Sequence, residues 1–372
     1  MARTVARTES RGYGRAAAVG AVASAAILLA VLLSALLGAR DDPQQVAAEP
    51  FPPSQSVPVT IDRLQPVVGD GAIGWPLPVP YAGPRDVAVT ASAVWVTEQN
   101  KGAVDAFGDG RLIRYEVDAK FPNSGAFALA SGPSESMWFT GYPNGNVGRL
   151  LPDGTVNSFS PIVDTAGTVA AVEDPNGSMW VTDVNLGVVV RIDQHGQVAA
   201  FPVPPPTSTR ELVGPYDIAG TADGAIWFTD PRTRSIGTIT GSDATPMIEE
   251  HRVRDGSAPR SIAIGPDGSV WVTLPKTGIG RVDPSGSVQP VGVRIGNDAI
   301  NNLAIAKDGT LWLTTTGPSI LHVRPDGSLI RRVIMPGGAV GADGIAIGPD
   351  GTVWAAATDA NLLVEITRHR TT

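Results

Sequence analysis

The sequence predicts an all-β fold, a seven-bladed β-propeller of four-stranded antiparallel blades, preceded by one N-terminal transmembrane helix. Three observations predict it. Seven of the eight tryptophans (Trp95, Trp138, Trp180, Trp227, Trp271, Trp312 and Trp354) recur at steps of 41 to 47 residues. Around the later ones the context repeats: IAGTADGAIWFTD ends at Asp230, IAIGPDGSVWVT at Thr273, LAIAKDGTLWLT at Thr314 and IAIGPDGTVWAA at Ala356. Residues 16–39, finally, contain no charge and no proline. A rare residue at a period of 40–50 marks a blade-sized repeat.

Each repeat reads as an apolar strand, an Asp-Gly turn and a second strand carrying the Trp, because Asp-Gly supplies the positive φ of a tight hairpin. A third strand follows, as in VGRLLPDG, VVRIDQHG, IGRVDPSG and ILHVRPDG, and a Gly turn leads to a fourth, such as TVNSF or SLIRRV. The last repeat stops after its third strand, LLVEIT. Residues 73–80, IGWPLPVP, resemble the fourth strand AAFPVP at 199–204, so the N-terminal segment is expected to complete the last blade. Such closure removes an exposed sheet edge, and it gives Trp75 a place outside the ladder.

The 24 residues of 16–39 suffice to cross a hydrocarbon core. Arg3, Arg7, Arg11 and Arg15 precede them against one acid, Glu9, which predicts an inside N-terminus and an outside domain. A cleaved signal peptide is the rival; its best cut, after Ala39, would place Leu37 where a small residue is required. The expected organisation is therefore a basic cytoplasmic tail (1–15), an anchor (16–39), a Pro-rich extended linker (40–72) and the propeller (73–372), in the plasma membrane with the C-terminal domain extracytoplasmic. With no cysteine, disulfides, thiolate metal sites, cysteine nucleophiles and lipid attachment at cysteine are excluded. The net charge is −8 and the first 15 residues carry +3, so the folded part is acidic and nucleic acid is not an expected partner.

One end of the propeller carries short, uniform turns. The other carries the long, varied connections 202–215 and 243–259, where function is expected. Two positions per blade should line the channel there. The slot before the innermost strand holds Arg85, Tyr216, Arg260, Asn301 and Asp343, with Asp86, Asp217, Ser261 and Asn302 beside them; Phe127 and Thr168 are the candidates in the second and third blades. The other position ends the Trp strand, at Glu98, Asp183 and Asp230. Polar residues at a channel mouth also serve simply to satisfy one another.

The pattern P-x-x-I-A-x-x-x-D-G-x-[IV]-W-[VF]-T followed by I-G-R-[IV], strongest over residues 214–237, resembles the streptogramin (virginiamycin B) lyase family. The resemblance extends over roughly 73–368. It implies a seven-bladed propeller and, in family members, opening of a cyclic depsipeptide at its ester by elimination, with Mg²⁺ and a histidine base on the loop-rich face. Where the family commonly places His after Pro, this chain has Arg85, Tyr216 and Arg260, and the family's Glu-x-His is absent. Of the four histidines, His195 lies in a back-face turn, His322 in a third strand and His369 in the tail. His251, on or near a long loop, is the one stand-in. Glu249, Glu250 or Asp230 would be weak bases unless desolvated.

The leading expectation is a non-catalytic, membrane-anchored ligand- or protein-binding or sensor domain, its partner a small molecule, a peptide or an envelope protein. The alternative is a divergent lyase-like or lactonase-like enzyme. In that case Asn301, Asn302, Asp217, Asp343 and Glu98 would supply oxygen ligands for Mg²⁺ or Ca²⁺, with Asn301 and Asp343 foremost. A third reading is a docking platform in an envelope complex.

Overall fold

Each repeat buries its Trp against the blade that follows, and this contact decides how the strands stack. Trp180 packs with Ile226 and Phe228 of the next repeat, Trp312 with Ile345 and Val353. The seventh, Trp354, packs with Val96 and Phe107 of the first and so closes the ring. The computed structural model describes residues 45–47, 53–117, 125–142, 145–159, 167–203, 214–242, 245–254, 256–283 and 285–367. They form seven antiparallel sheets in a ring. Counted from the N-terminus, the innermost strands of blades 1 to 7 are Pro84–Val89, Gly125–Ser131, Thr168–Glu173, Ile218–Gly220, Ile262–Ile264, Ile300–Ile305 and Ala342–Ile347.

The ring closes as expected. The third strand of blade 7, Leu362–Ile366, takes Ala72–Pro76 as its fourth. Trp75 donates from its indole to Glu365 (3.1 Å) and lies against Phe107 of blade 1, 4.9 Å between centroids, so it seals the seam.

The Pro-rich segment does not hang free as a spacer. Val67–Val68, Val59–Ile61, Ser54–Gln55 and Gln45–Ala47 pair in turn with the outer edges of blades 7, 1, 2 and 3. Edge pairing explains why prolines are tolerated there, since an outermost strand needs hydrogen bonds on one side alone. The belt covers four edges that would otherwise be open templates. Among the described residues no helix is long and apolar enough to cross a membrane, and the apolar run 16–39 lies outside them.

Two repeat signatures acquire a physical reason. The Asp of the Asp-Gly turns accepts a hydrogen bond from the backbone N–H two residues on, as Asp153, Asp308 and Asp350 do at 2.9–3.0 Å; these are turn builders. The Thr two residues after the Trp is a clamp between blades. Thr229 Oγ1 accepts from Asp217 N (3.1 Å) and donates to Arg260 O of the next blade (2.7 Å). Thr97 joins Asp86 N to Phe127 O, and Thr314 joins Asn302 N to Asp343 O. Blade 7 has Ala356 there, and Thr358 takes over by donating to Pro84 O (2.7 Å). Thr229→Val keeps the shape but strands a buried N–H and C=O, so we expect a loss of about 2–3 kcal/mol, measurable as a lower urea midpoint with an unchanged slope.

Candidate functional site

The clamps deliver the slot residues to one end of the channel. There a pocket of about 230 Å³ is lined by Arg85, Asp86, Phe127, Tyr216, Asp217, Arg260, Ser261, Asn301, Asn302 and Asp343, together with backbone-proximal apolar residues. All nine expected slot residues of blades 1, 4, 5, 6 and 7 therefore meet, and Phe127 fills the slot of blade 2. In blade 3 the lining residues are Val169, Ala170 and Ala171, not Thr168, which is fully buried and shares its hydroxyl proton between Gly141 O and Asn146 O.

The Trp-strand ends do not join them. Glu98, Asp183 and Asp230 are fully buried. Their side chains turn back into the blade. Asp183 accepts from the N–H groups of Gly167, Asn185 and Leu186, and Asp230 from those of Arg232 and Thr233 and from the Arg232 guanidinium. Both tie down the turn after the Trp strand. Glu98 is ion-paired to Arg114, with Asp105 3.8 Å from the same guanidinium.

At the mouth the polar groups bridge the channel. Arg85 Nη1 donates to Asp343 Oδ2 (2.6 Å), and its Nη2 donates across the channel to Tyr216 Oη (3.0 Å). Arg260 reaches the same hydroxyl (3.3 Å) and Asn301 Oδ1 (3.3 Å), and it stands 3.7 Å from Asp343 Oδ1. The guanidinium of Arg85 lies over the Phe127 ring (4.6 Å to the centroid) and that of Arg260 over Tyr216 (5.4 Å). Thr358 and the backbone hold the rest: Thr358 Oγ1 stands 2.8 Å from Asp343 Oδ2, and Asn301 Nδ2 donates to Ala342 O.

One layer deeper, Asp86 accepts from Val87 N and Leu129 N, and Asp217 from Ile218 N, Ile262 N and Ser261 Oγ. Ser261 Oγ also contacts Asn302 Oδ1 (2.5 Å). In blade 7 this inner position must be glycine: a Cβ at Gly344 would lie 2.6 Å from the Asp86 backbone and carboxylate. Burial pushes the Asp86 carboxyl up to about 6, with the nearby Asp217 charge adding to it and the backbone donors opposing it. Burial likewise raises Asp217. A carboxyl whose folded pKa exceeds its unfolded value costs stability once ionised. For Asp86 that cost is absent below about pH 4 and complete above about 6, up to about 3 kcal/mol. Relative to Asp86→Asn, wild type should therefore lose stability between pH 4.5 and 7.5 in urea titrations; parallel curves would refute the assignment.

A divalent cation does not fit this donor set. Asp343 faces two guanidiniums, and Asn301 gives its carbonyl oxygen to a third donor from Arg260. Among the described residues no three His, Cys, Asp or Glu cluster as metal ligands. Nor does a histidine among the described residues reach the pocket. His251 sits in the outer strand Thr245–Arg252 of blade 4 and stacks on Trp227 (6.4 Å). His322 lies flat on Trp312 (4.1 Å, 7°) and hydrogen-bonds Thr310, and burial lowers its pKa. Glu249 faces the groove outside blades 4 and 5. Glu250, on the same outer strand, is raised by burial. His369 lies outside the described residues.

Comparison with known proteins agrees with this ring of blades. The model of the Virginiamycin B lyase family matches residues 73–358. The chain belongs to that family. Among solved structures, a streptogramin B lyase superposes with a TM-score of 0.71 at 24% identity, over 79% of this chain and 96% of the other. The virginiamycin B lyase of Staphylococcus aureus gives 0.71 at 22%, over 80% and 99%. YCF48 bound to D1 peptide gives 0.62 at 14%, over 83% and 99%. No curated protein matches the sequence. At these identities the structural likeness speaks for the fold.

Proposed function

We propose that this family member is a binding propeller, anchored outside a plasma membrane by residues 16–39, whose ligand docks at the loop-rich mouth of the channel. The observation that carries the reading is the cross-channel set Arg85–Tyr216–Arg260–Asp343. Its Arg85, Tyr216 and Arg260 occupy slots where the family resemblance implies a histidine, and aromatic faces and blade-to-blade clamps hold the set rigid. Rigid, pre-ordered donors suit recognition, since little entropy is lost on binding. They offer no group poised to take a proton. That the similar propeller YCF48 carries a bound peptide makes a peptide a reasonable class of partner to try. The anchor rests on the uncharged run 16–39 and the arginines before it. Since Gln45–Ala47 is bound to blade 3, five residues separate the end of that run from the propeller rim.

A photo-crosslinking side chain at Lys276, in the turn on the mouth face, tests the reading in cells. It should trap a partner that Tyr216→Ala abolishes, while the same group at Asp326 on the opposite face should not. Adducts from Asp326 alone, or adducts indifferent to Tyr216, would contradict it. Retention in the membrane fraction after an alkaline carbonate wash, lost on deleting 16–39, tests the anchor.

A second reading has one observation in its favour, the raised carboxyl of Asp86 at the pocket wall. A perturbed carboxyl in a cleft is a candidate base. Its oxygens already accept from Val87 N and Leu129 N, which is why this enzymatic reading ranks second.

A further inference from the structure

We infer that the group recognised at the channel mouth is a single carboxylate at the end of a chain, such as a peptide C-terminus, seated on Arg260 and Tyr216. This rests on the mouth being the ligand site, and it adds what the site recognises.

The mouth has more donors than acceptors. Two guanidiniums carry ten N–H bonds, and four are committed among the described residues, to Asp343, to Asn301 and twice to Tyr216 Oη. Because that hydroxyl oxygen accepts from both arginines, its own proton is directed elsewhere, and no described residue receives it. Of the acceptors, Asp343 Oδ2 receives Arg85 and Asn301 Oδ1 receives Arg260, while Asp343 Oδ1 faces Arg260 at 3.7 Å. A ligand must therefore bring acceptors. Arg260 is the arginine with capacity to spare, since its pair with Asp343 is long at 3.7 Å and its side chain is 33% exposed, against 2.6 Å and 18% for Arg85. A guanidinium fork fits the two oxygens of a carboxylate.

Charge and size narrow the class. Asp343, and beneath it Asp86 and Asp217, stand against the two arginines. The deeper pair bond backbone N–H groups and Ser261, so they do not consume guanidinium donors, but their field disfavours a doubly charged phosphate. A pocket of about 230 Å³ admits an end group; whole drug-sized ligands occupy about 300–1,000 Å³. A chain terminus satisfies both conditions, with the remainder of the chain leaving through the open mouth.

The full chain in detergent would be titrated with N-acetylglycine, N-acetylglycinamide and inorganic phosphate at fixed ionic strength, followed by calorimetry and saturation-transfer NMR. N-acetylglycine should bind with a Kd of about millimolar order, and the amide and phosphate at least about tenfold more weakly. Arg260→Lys, which keeps the charge and loses the fork, should weaken N-acetylglycine by about tenfold. Tyr216→Phe should weaken it less, and His195→Ala on the far face should leave it unchanged. If the amide binds as well as the acid and both depend on Arg260, the mouth remains a ligand site and the carboxylate inference falls. If N-acetylglycine binding ignores Arg260, or no binding is seen at tens of millimolar, both fall. Tighter binding of phosphate would overturn the choice of a monoanion.

Discussion

Arg114→Met will destabilise the propeller by about 3–5 kcal/mol, and the deficit will shrink as the pH falls. Arg114 is the one cation shared by two buried carboxyls of blade 1. It pairs with Glu98 and lies 3.8 Å from Asp105, and both acids are fully buried. Beyond the contact between the two acids themselves, Glu98 Oε1 and both Asp105 oxygens lack a hydrogen-bond partner, so the arginine is their main compensation. Burial, and after it the charge of Glu98, hold the Asp105 carboxyl well above its usual range. Removing the cation leaves one or two uncompensated buried charges at neutral pH. The sign follows from linkage: an acid with a raised folded pKa, here Asp105, binds more protons folded than unfolded, so the folded state regains stability as the pH drops. Urea midpoints at pH 7.5 and pH 5 should show the larger deficit at 7.5. A deficit independent of pH would mean that Arg114 acts through packing alone.

Gly237→Val will cost about 3 kcal/mol or more, and Phe228→Val in the same chain will restore most of it. Gly237 lies directly across from Phe228 in blade 4, and the phenyl ring covers it: a Cβ there would sit 2.1 Å from the ring. Blade 2 repeats the arrangement with Phe139 over Gly148. Blade 3 solves the same space with Val181 opposite Val190. The pair thus exchanges volume between strands, and a buried ring cannot retreat in a close-packed interior. The double-mutant cycle should give a coupling of about 2–3 kcal/mol; additive single effects would show that ring and glycine do not share the space.

These pairs show what the sequence discloses and what it conceals. The Trp ladder and Asp-Gly turns disclosed the blades because each is a local pattern repeated in register. The slot residues were legible because they lie at or just before the start of the innermost strand, whose direction fixes which end of the channel it enters. Glu98, Asp183 and Asp230 sit at the same end of the blade and looked equivalent. Their fate turns on side-chain direction: Asp183 and Asp230 point into the turns after their strands, and Glu98 into its own blade against Arg114. The Thr clamp was visible in every W-x-T, yet its two partners lie on different blades and no spacing names them. Likewise His251 and His322 read as a possible base and a strand residue. Register places His322 beside Trp312, and His251 packs on Trp227, so both cover the ladder. The belt was hidden by composition, since a Pro-rich segment looks the same whether free or bound to sheet edges.

The most direct test of the account is to incubate the full chain with Mg²⁺ and a cyclic depsipeptide of the streptogramin type and follow the ring by mass spectrometry. An arginine–tyrosine mouth that binds without cutting predicts an intact ring at any enzyme concentration. A linear product formed by ring opening, at a rate that falls on substituting Asp86, Tyr216 or Arg260, would contradict it and make this propeller an enzyme.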